Sequence, residues 1–222
     1  MKFELVKPIL EEYPDGWPPK QYFVGQNKTT RKQLEEFRAL INKGAGETEI
    51  DGFLKTNLEV FSIALDFFKT GHHGAWIIPQ QDIKPQTSEP GLKPDYIIGG
   101  KSSDGFGWWV IDLKGADEKI FTDKGNRTCF SNKANMGIFQ ILEYINYCAK
   151  MQSYMREALS LVGFREPKGL LIIGRENEML ENSRRSELKA AWNNLSDKLQ
   201  VRTYDAFLRA VEQQVVWNEQ DS

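Results

Sequence analysis

Two cysteines and two histidines are all that the 222 residues offer to thiol or soft-metal chemistry. Cys129 and Cys148 are too few and too irregularly placed for a disulfide framework or a zinc cluster, so reduced, structural thiols are expected. No apolar run approaches the roughly 18–20 residues of a membrane span. The opening MKFELVKPILEEY lacks the charged-then-apolar layout of a signal peptide, which points to a cytoplasmic protein without membrane partners. Neither sign of charge dominates: 29 Lys and Arg face 31 Asp and Glu, a net charge of -2. That balance excludes a broad basic coat for nucleic acid and leaves room for a local basic groove. Repeats and low-complexity tracts are also missing. What is present, 40% hydrophobic and 27% charged residues, suffices for one principal folded domain.

Residues 1 to about 30 mix Pro8, Pro14, Pro18 and Pro19 with aromatic and charged side chains, so an irregular arm with at most a short strand is expected. Thr29 or Thr30 can cap a helix through RKQLEEFRALINK that stops at Gly44. A second helix is read from about Glu47 to Lys69, with Ile50, Phe53, Leu54, Leu58, Phe61, Leu65 and Phe68 on one side. His72 and His73 follow its end, where imidazolium complements the helix dipole. Then AWIIPQQDI, PDYIIGG and FGWWVIDLKG read as three strands, the last two joined by the hairpin signal KSSDGFG and therefore antiparallel neighbours. A polar loop from Ala116 to Asn132 leads to a long helix capped by Ser131 or Asn132, on which Ile138, Ile141, Ile145, Cys148, Met155 and Leu159 recur at three and four. GLLIIG reads as a buried strand, followed by a charged helix around Ser183 to Lys198, a strand LQVRTY and a terminal helix DAFLRAVEQQ. The order indicates an α/β or α+β domain on a mixed sheet.

The chemistry concentrates in GLKPDYIIGGKSSDGFGWWVIDLKGAD. Asp95 and Asp112 stand beside apolar runs, where an unpaired carboxylate is costly to desolvate. If the hairpin forms, Asp95 begins one strand and Asp112 ends the next, so both acids reach the same end of the sheet. Two adjacent carboxylates resist ionising together unless a hard cation such as Mg²⁺ lies between them. Strand alternation places Asp112 and Lys114 on one face, Leu113 on the other, so the ammonium can orient a water beside the acids. This is the layout of a metal-dependent phosphodiester hydrolase.

Pro94-Asp95, a hairpin and Asp112-Leu113-Lys114 resemble the PD-(D/E)XK nuclease motif, and the core order of helix, three strands, helix and strand fits that restriction-endonuclease-like superfamily. ETEIDGFLKTN resembles the acid-bearing helix of Shedu-type antiphage nucleases, GIFQILEYINY the QxxxY helix found there and in RecB-like nucleases, and VRTYDAFLRAV the end of the Shedu nuclease domain. The resemblance implies a DNA endonuclease with Mg²⁺, replaceable by Mn²⁺, no small-molecule cofactor, and a homo-oligomeric state. It implies Asp95, Asp112 and the Leu113 carbonyl as metal ligands, Lys114 as the water-orienting base, Gln140 as a catalytic positioning residue and Tyr144 as its support. For the helical acid, Glu47 lies near the centre of the Leu54, Phe61, Leu65 face and Glu49 well off it, which favours Glu47. Residues 46–216 would then form the nuclease domain, with 1–45 a regulatory or oligomerising arm and helix.

Blander readings stand beside these. Asp95 after Pro94 is a good turn residue, Asp112 with Lys114 a common strand-end ion pair, and Gln140 with Tyr144 an ordinary polar helix face. Trp108 and Trp109 point to opposite faces, one for the core and the other covered by a helix or exposed at a contact. Lys114, Lys119, Lys124, Arg127 and Lys133 line a stretch that could track a phosphate backbone, while Arg184 and Arg185 read as helix surface. A nucleic-acid-binding module with little catalysis, or an RNA-cleaving enzyme of the same fold, uses the same residues.

Overall fold

Two consecutive strands, buried over most of their length, send alternate side chains to two different cores and so set the architecture. The computed structural model of the protein describes residues 13–25, 29–63, 73–83, 91–195 and 197–220. Strands β1 (Phe23–Gly25), β2 (Ala75–Pro79), β3 (Tyr96–Ser102), β4 (Gly105–Leu113), β7 (Lys168–Ile172) and β8 (Leu199–Arg202) form one six-stranded sheet in the order β1-β2-β3-β4-β7-β8. The first four are antiparallel and β4, β7 and β8 run parallel, a mixed sheet as the sequence indicates. Ser102 pairs with Gly105 across a two-residue turn, and Gly105, at φ +109, takes the backbone conformation that side chains disfavour.

On β4, Trp109, Ile111 and Leu113 face one core together with Tyr96 and Ile98. Helices α1 (Arg31–Asn42), α2 (Glu47–Thr56) and α7 (Tyr204–Gln220) cover it. Trp108 and Val110 face a second core under α3 (Asn132–Lys150), α4 (Gln152–Glu157) and α5 (Asn177–Glu181). Both tryptophans are buried, so neither is an exposed stacking surface; Trp108 Nε1 donates to the Val162 carbonyl at 3.0 Å. The same alternation turns Asp112 towards α3. Gly137 lets that helix settle: a Cβ there would lie 2.7 Å from Leu171 Cδ1 and 3.4 Å from Asp112 Oδ2.

Thr30, not Thr29, caps α1, in a reciprocal box with Gln33, while Thr29 donates to the Glu59 carbonyl. Gly44, at φ +69, closes that helix. Leu34, Phe37 and Ile41 of α1 share the first core, so this helix packs within the same body as the sheet.

Three expected elements differ. The second helix stops at Thr56 and a 3-10 turn follows at Leu58–Ile63. Asn57 Nδ2 takes the Phe53 carbonyl at 2.9 Å, and Thr56 Oγ1 the same carbonyl at 3.0 Å, side-chain competition that ends the backbone ladder. Leu65, Phe68 and His72 lie outside the described residues. The long helix breaks at Met151, where the amide bonds both Tyr147 and Cys148 carbonyls, and Met155 is buried from the short α4 instead. The polar loop contains a hairpin, β5 (Phe121–Lys124) and β6 (Arg127–Phe130), turning at Gly125-Asn126. Ser131 caps α3.

Among the described residues, no helix is long and apolar enough to cross a membrane. Both cysteines are free, and burial pushes the Cys148 thiol up to about 12, an inert structural thiol.

Candidate active site

Asp95 and Asp112 meet at one end of the hairpin, one step beyond the Tyr96–Ile111 pair. The Leu113 amide donates to Asp95 Oδ2 at 2.7 Å, and the Gln80 amide to the Asp95 carbonyl at 2.7 Å. Asp112 is 1% exposed, and its Oδ2 lies 2.6 Å from Lys114 Nζ, itself nearly buried. Burial drives the Asp112 carboxyl up to about 7 against the opposing pull of Lys114, and the neighbouring Asp95 and Glu47 charges push it the same way. Asp95 is also raised, chiefly by burial, with the Leu113 amide and Lys114 holding it back.

Lys114 is fixed on several sides. Its amide donates to the Ile172 carbonyl at 2.9 Å, and its carbonyl accepts from the Tyr204 hydroxyl at 2.7 Å. Its ammonium reaches Gln140 Oε1 at 3.4 Å. Gln140 in turn donates from Nε2 to the Tyr144 hydroxyl at 2.6 Å, and that hydroxyl donates to the Lys93 carbonyl at 3.1 Å. Burial raises the Tyr144 phenol to about 12, so it remains a donor at neutral pH.

Glu47 joins from the first turn of α2, its Oε2 4.0 Å from Lys114 Nζ and 3.8 Å from Lys133 Nζ. The Ala116 amide, donating to the Ala45 carbonyl at 2.9 Å, ties the start of α2 to the chain just past Lys114. Gly115 permits that approach, since a Cβ there would lie 3.3 Å from the Glu47 amide nitrogen. Glu49 instead pairs with Lys43 at an exposed position. The geometry thus brings Asp95, Asp112, Lys114, Glu47, Gln140 and Tyr144 into one connected cluster, with Leu113 supplying backbone.

Sequence reasoning missed Asp51 and Tyr204. Asp51, one turn on from Glu47, accepts from the Tyr96 hydroxyl at 2.8 Å and from Gln80 Nε2 at 3.4 Å, with Lys55 Nζ at 2.5 Å. Its spacing of four from Glu47 was a usable signal. Tyr204 stands 90 residues from Lys114 in sequence, and no local pattern could have paired them.

Asp95, Asp112 and Glu47 offer carboxylate oxygens at this strand end, the hard donors that suit Mg²⁺. A buried acid at about 7, with one ammonium against it, has room for further positive charge. Among the described residues, however, no three His, Cys, Asp or Glu side chains are gathered closely enough to hold a metal ion. In this arrangement the Lys114 ammonium lies on the Asp112 oxygen.

A mixed sheet flanked by helices, with an acid pair and a lysine at the end of its central hairpin, defines an α/β protein with a buried charged centre. Residues 44–208 match the family model described as Shedu protein SduA, C-terminal, and the chain belongs to that family. No curated protein matches the chain significantly. Membership links the chain to antiphage defence.

Proposed function

We propose that the chain is a Mg²⁺-dependent endonuclease of the PD-(D/E)XK type, which hydrolyses or nicks DNA in antiphage defence. The observation that carries this reading is the buried Asp112 carboxylate with Lys114 Nζ 2.6 Å away and Asp95 across the hairpin. A structural surface ion pair would sit in water, where it is worth little; this one is almost wholly enclosed.

Asp95, Asp112 and Glu47, with the Leu113 carbonyl, are the groups that would hold the cation, and to do so the three carboxylates would have to draw closer together and Lys114 to leave the Asp112 oxygen it faces. What a bound Mg²⁺ supplies there is charge to polarise a phosphoryl oxygen and to support the leaving oxygen. Lys114 would orient the attacking water in line with the departing oxygen. Gln140 holds the ammonium, and Tyr144 holds Gln140, so the lysine head is positioned from both the strand and α3. Tyr204 fixes the lysine backbone from α7.

The deciding experiment incubates supercoiled plasmid with the purified protein, with Mg²⁺, with Mn²⁺ and with chelator. Wild type converts the plasmid to nicked or linear forms with either metal, and Asp95→Ala, Asp112→Ala and Lys114→Ala do not. Intact plasmid under every metal condition refutes the nuclease reading. A second reading, a nucleic-acid-binding module with little catalysis, draws on the closed Lys114–Asp112 pair. Tight metal-free DNA binding that Lys114→Ala leaves unaltered would favour it.

A further inference from the structure

The β5–β6 hairpin forms a sheet of its own between the acid-bearing strand and α3. Four-residue strands joined by Gly125-Asn126 would fray in isolation. Here the ribbon is braced at root and tip. The buried Glu178 carboxylate of α5 accepts the Ile120 amide at 2.7 Å and the Phe121 amide at 3.2 Å. Ser131 Oγ donates to the Lys119 carbonyl at 2.6 Å. Phe121 stacks on Phe130, which meets Trp192 edge-on. From α6 (Ser183–Leu195), Arg185 Nη2 donates to Asp123 Oδ2 at 2.6 Å and Arg184 Nη1 to the Asn126 carbonyl at 3.0 Å.

The held ribbon presents exposed cations. Lys119, Lys124 and Arg127 are exposed, and none forms an ion pair with an acid among the described residues. Two of the neighbouring acids are committed elsewhere, Asp123 to Arg185 and Thr128, and Glu118 to Lys133 at 3.6 Å. The ribbon's root also touches the candidate site, through Glu118 to Lys133, Lys133 to Glu47 and Glu47 to Lys114. A four-residue strand reaches about 13 Å, well within one turn of a duplex, about 34 Å.

We infer that the β5–β6 hairpin is a preorganised arm that grips the phosphate backbone of duplex DNA beside the scissile bond, through Lys119, Lys124 and Arg127. This rests on the nuclease reading above. Bracing from Glu178, Arg184 and Arg185 lowers the ordering cost that loose cations would pay on binding. The contacts read phosphate and carry no base preference.

The test measures binding of a labelled short DNA duplex by the full chain in an Asp112→Asn background, over a series of salt concentrations. Replacing all three cations (Lys119→Gln, Lys124→Gln, Arg127→Gln) lowers the slope of log affinity against log salt by about 2.7, about 0.9 per contact, equally for unrelated duplex sequences. The charge-conserving Lys119→Arg, Lys124→Arg, Arg127→Lys variant keeps the parent slope. A neutral variant with the parent's slope, or a charge-conserving variant that loses as much, overturns the inference. If the parent binds no duplex at low salt, the inference falls together with the DNA-substrate reading. If the slope falls as stated but wild type cuts no plasmid, the arm stands and the nuclease reading fails alone.

Discussion

Lys114 Nζ lies 2.6 Å from Asp112 Oδ2 inside the protein, so one ammonium faces a carboxylate that burial carries up to about 7. The balance between that burial and that ammonium sets how the site responds to pH and to substitution.

The Asp112 carboxyl is harder to ionise in the folded chain than in the unfolded one. Its contribution to stability is therefore complete at about pH 4 and lost as pH rises through about 7. Asp112→Asn removes this titration, so thermal melts across that window will show wild type losing ground to Asp112→Asn with rising pH. A constant difference between the two would contradict the burial of the charge.

On the proposed reading, metal binding would draw on the ionised acid. The apparent Mg²⁺ affinity will fall roughly tenfold per pH unit below about 7, with proton release on binding. Calorimetric titration in buffers of different ionisation enthalpy checks this, and a pH-independent affinity would show that Asp112 is not a ligand.

Lys114→Met leaves the Asp112 charge buried without its partner. The cost will be about 3 kcal/mol above pH 7 and smaller near pH 5, where Asp112 carries a proton in either protein. Denaturant unfolding at the two pH values measures the difference.

Glu47 and Glu49, two residues apart, should separate cleanly. Glu47→Gln lowers cleavage by about 10–100-fold, because Glu47 faces Lys114 at 4.0 Å. Glu49→Gln breaks an exposed pair with Lys43, worth less than about 1 kcal/mol, and leaves cleavage as it was. Plasmid assays under identical Mg²⁺ distinguish them.

Tyr204→Phe strips the Lys114 carbonyl of its buried donor, at a cost of about 1–3 kcal/mol. Cleavage will fall while duplex affinity stays at the wild-type value, because the hydroxyl acts on the lysine backbone and is wholly buried, out of reach of a bound duplex. An equal loss of affinity would assign Tyr204 a different role.

Much of this was legible locally. The apolar strands PDYIIGG and FGWWVIDLK, with the Ser-Asp-Gly turn between them, determined that Asp95 and Asp112 meet, since a hairpin's register follows from its turn. Thr30, Gly44 and Ser131 mark helix ends that the chain obeys, and Gln140 and Tyr144 share a helical face by spacing alone. Gly125-Asn126 between two four-residue runs was also a readable hairpin signal, masked by the polar composition of the ribbon.

Other features depend on distant partners, and no periodicity encodes those. The end of α2 at Thr56 follows from side chains competing for the Phe53 carbonyl, where apolar spacing alone would have carried the helix on. The choice between Glu47 and Glu49 rests on the Ala116–Ala45 bond that draws the start of α2 to the lysine strand. Tyr204 and Glu178 reach Lys114 and the hairpin across long stretches of chain. The sequence by itself determined which acids and which lysine share a strand end, because strand period and turn chemistry are local. Only the tertiary structure decided how deeply they are buried, which glutamate joins them and what holds them still, because those depend on contacts between elements remote in the chain.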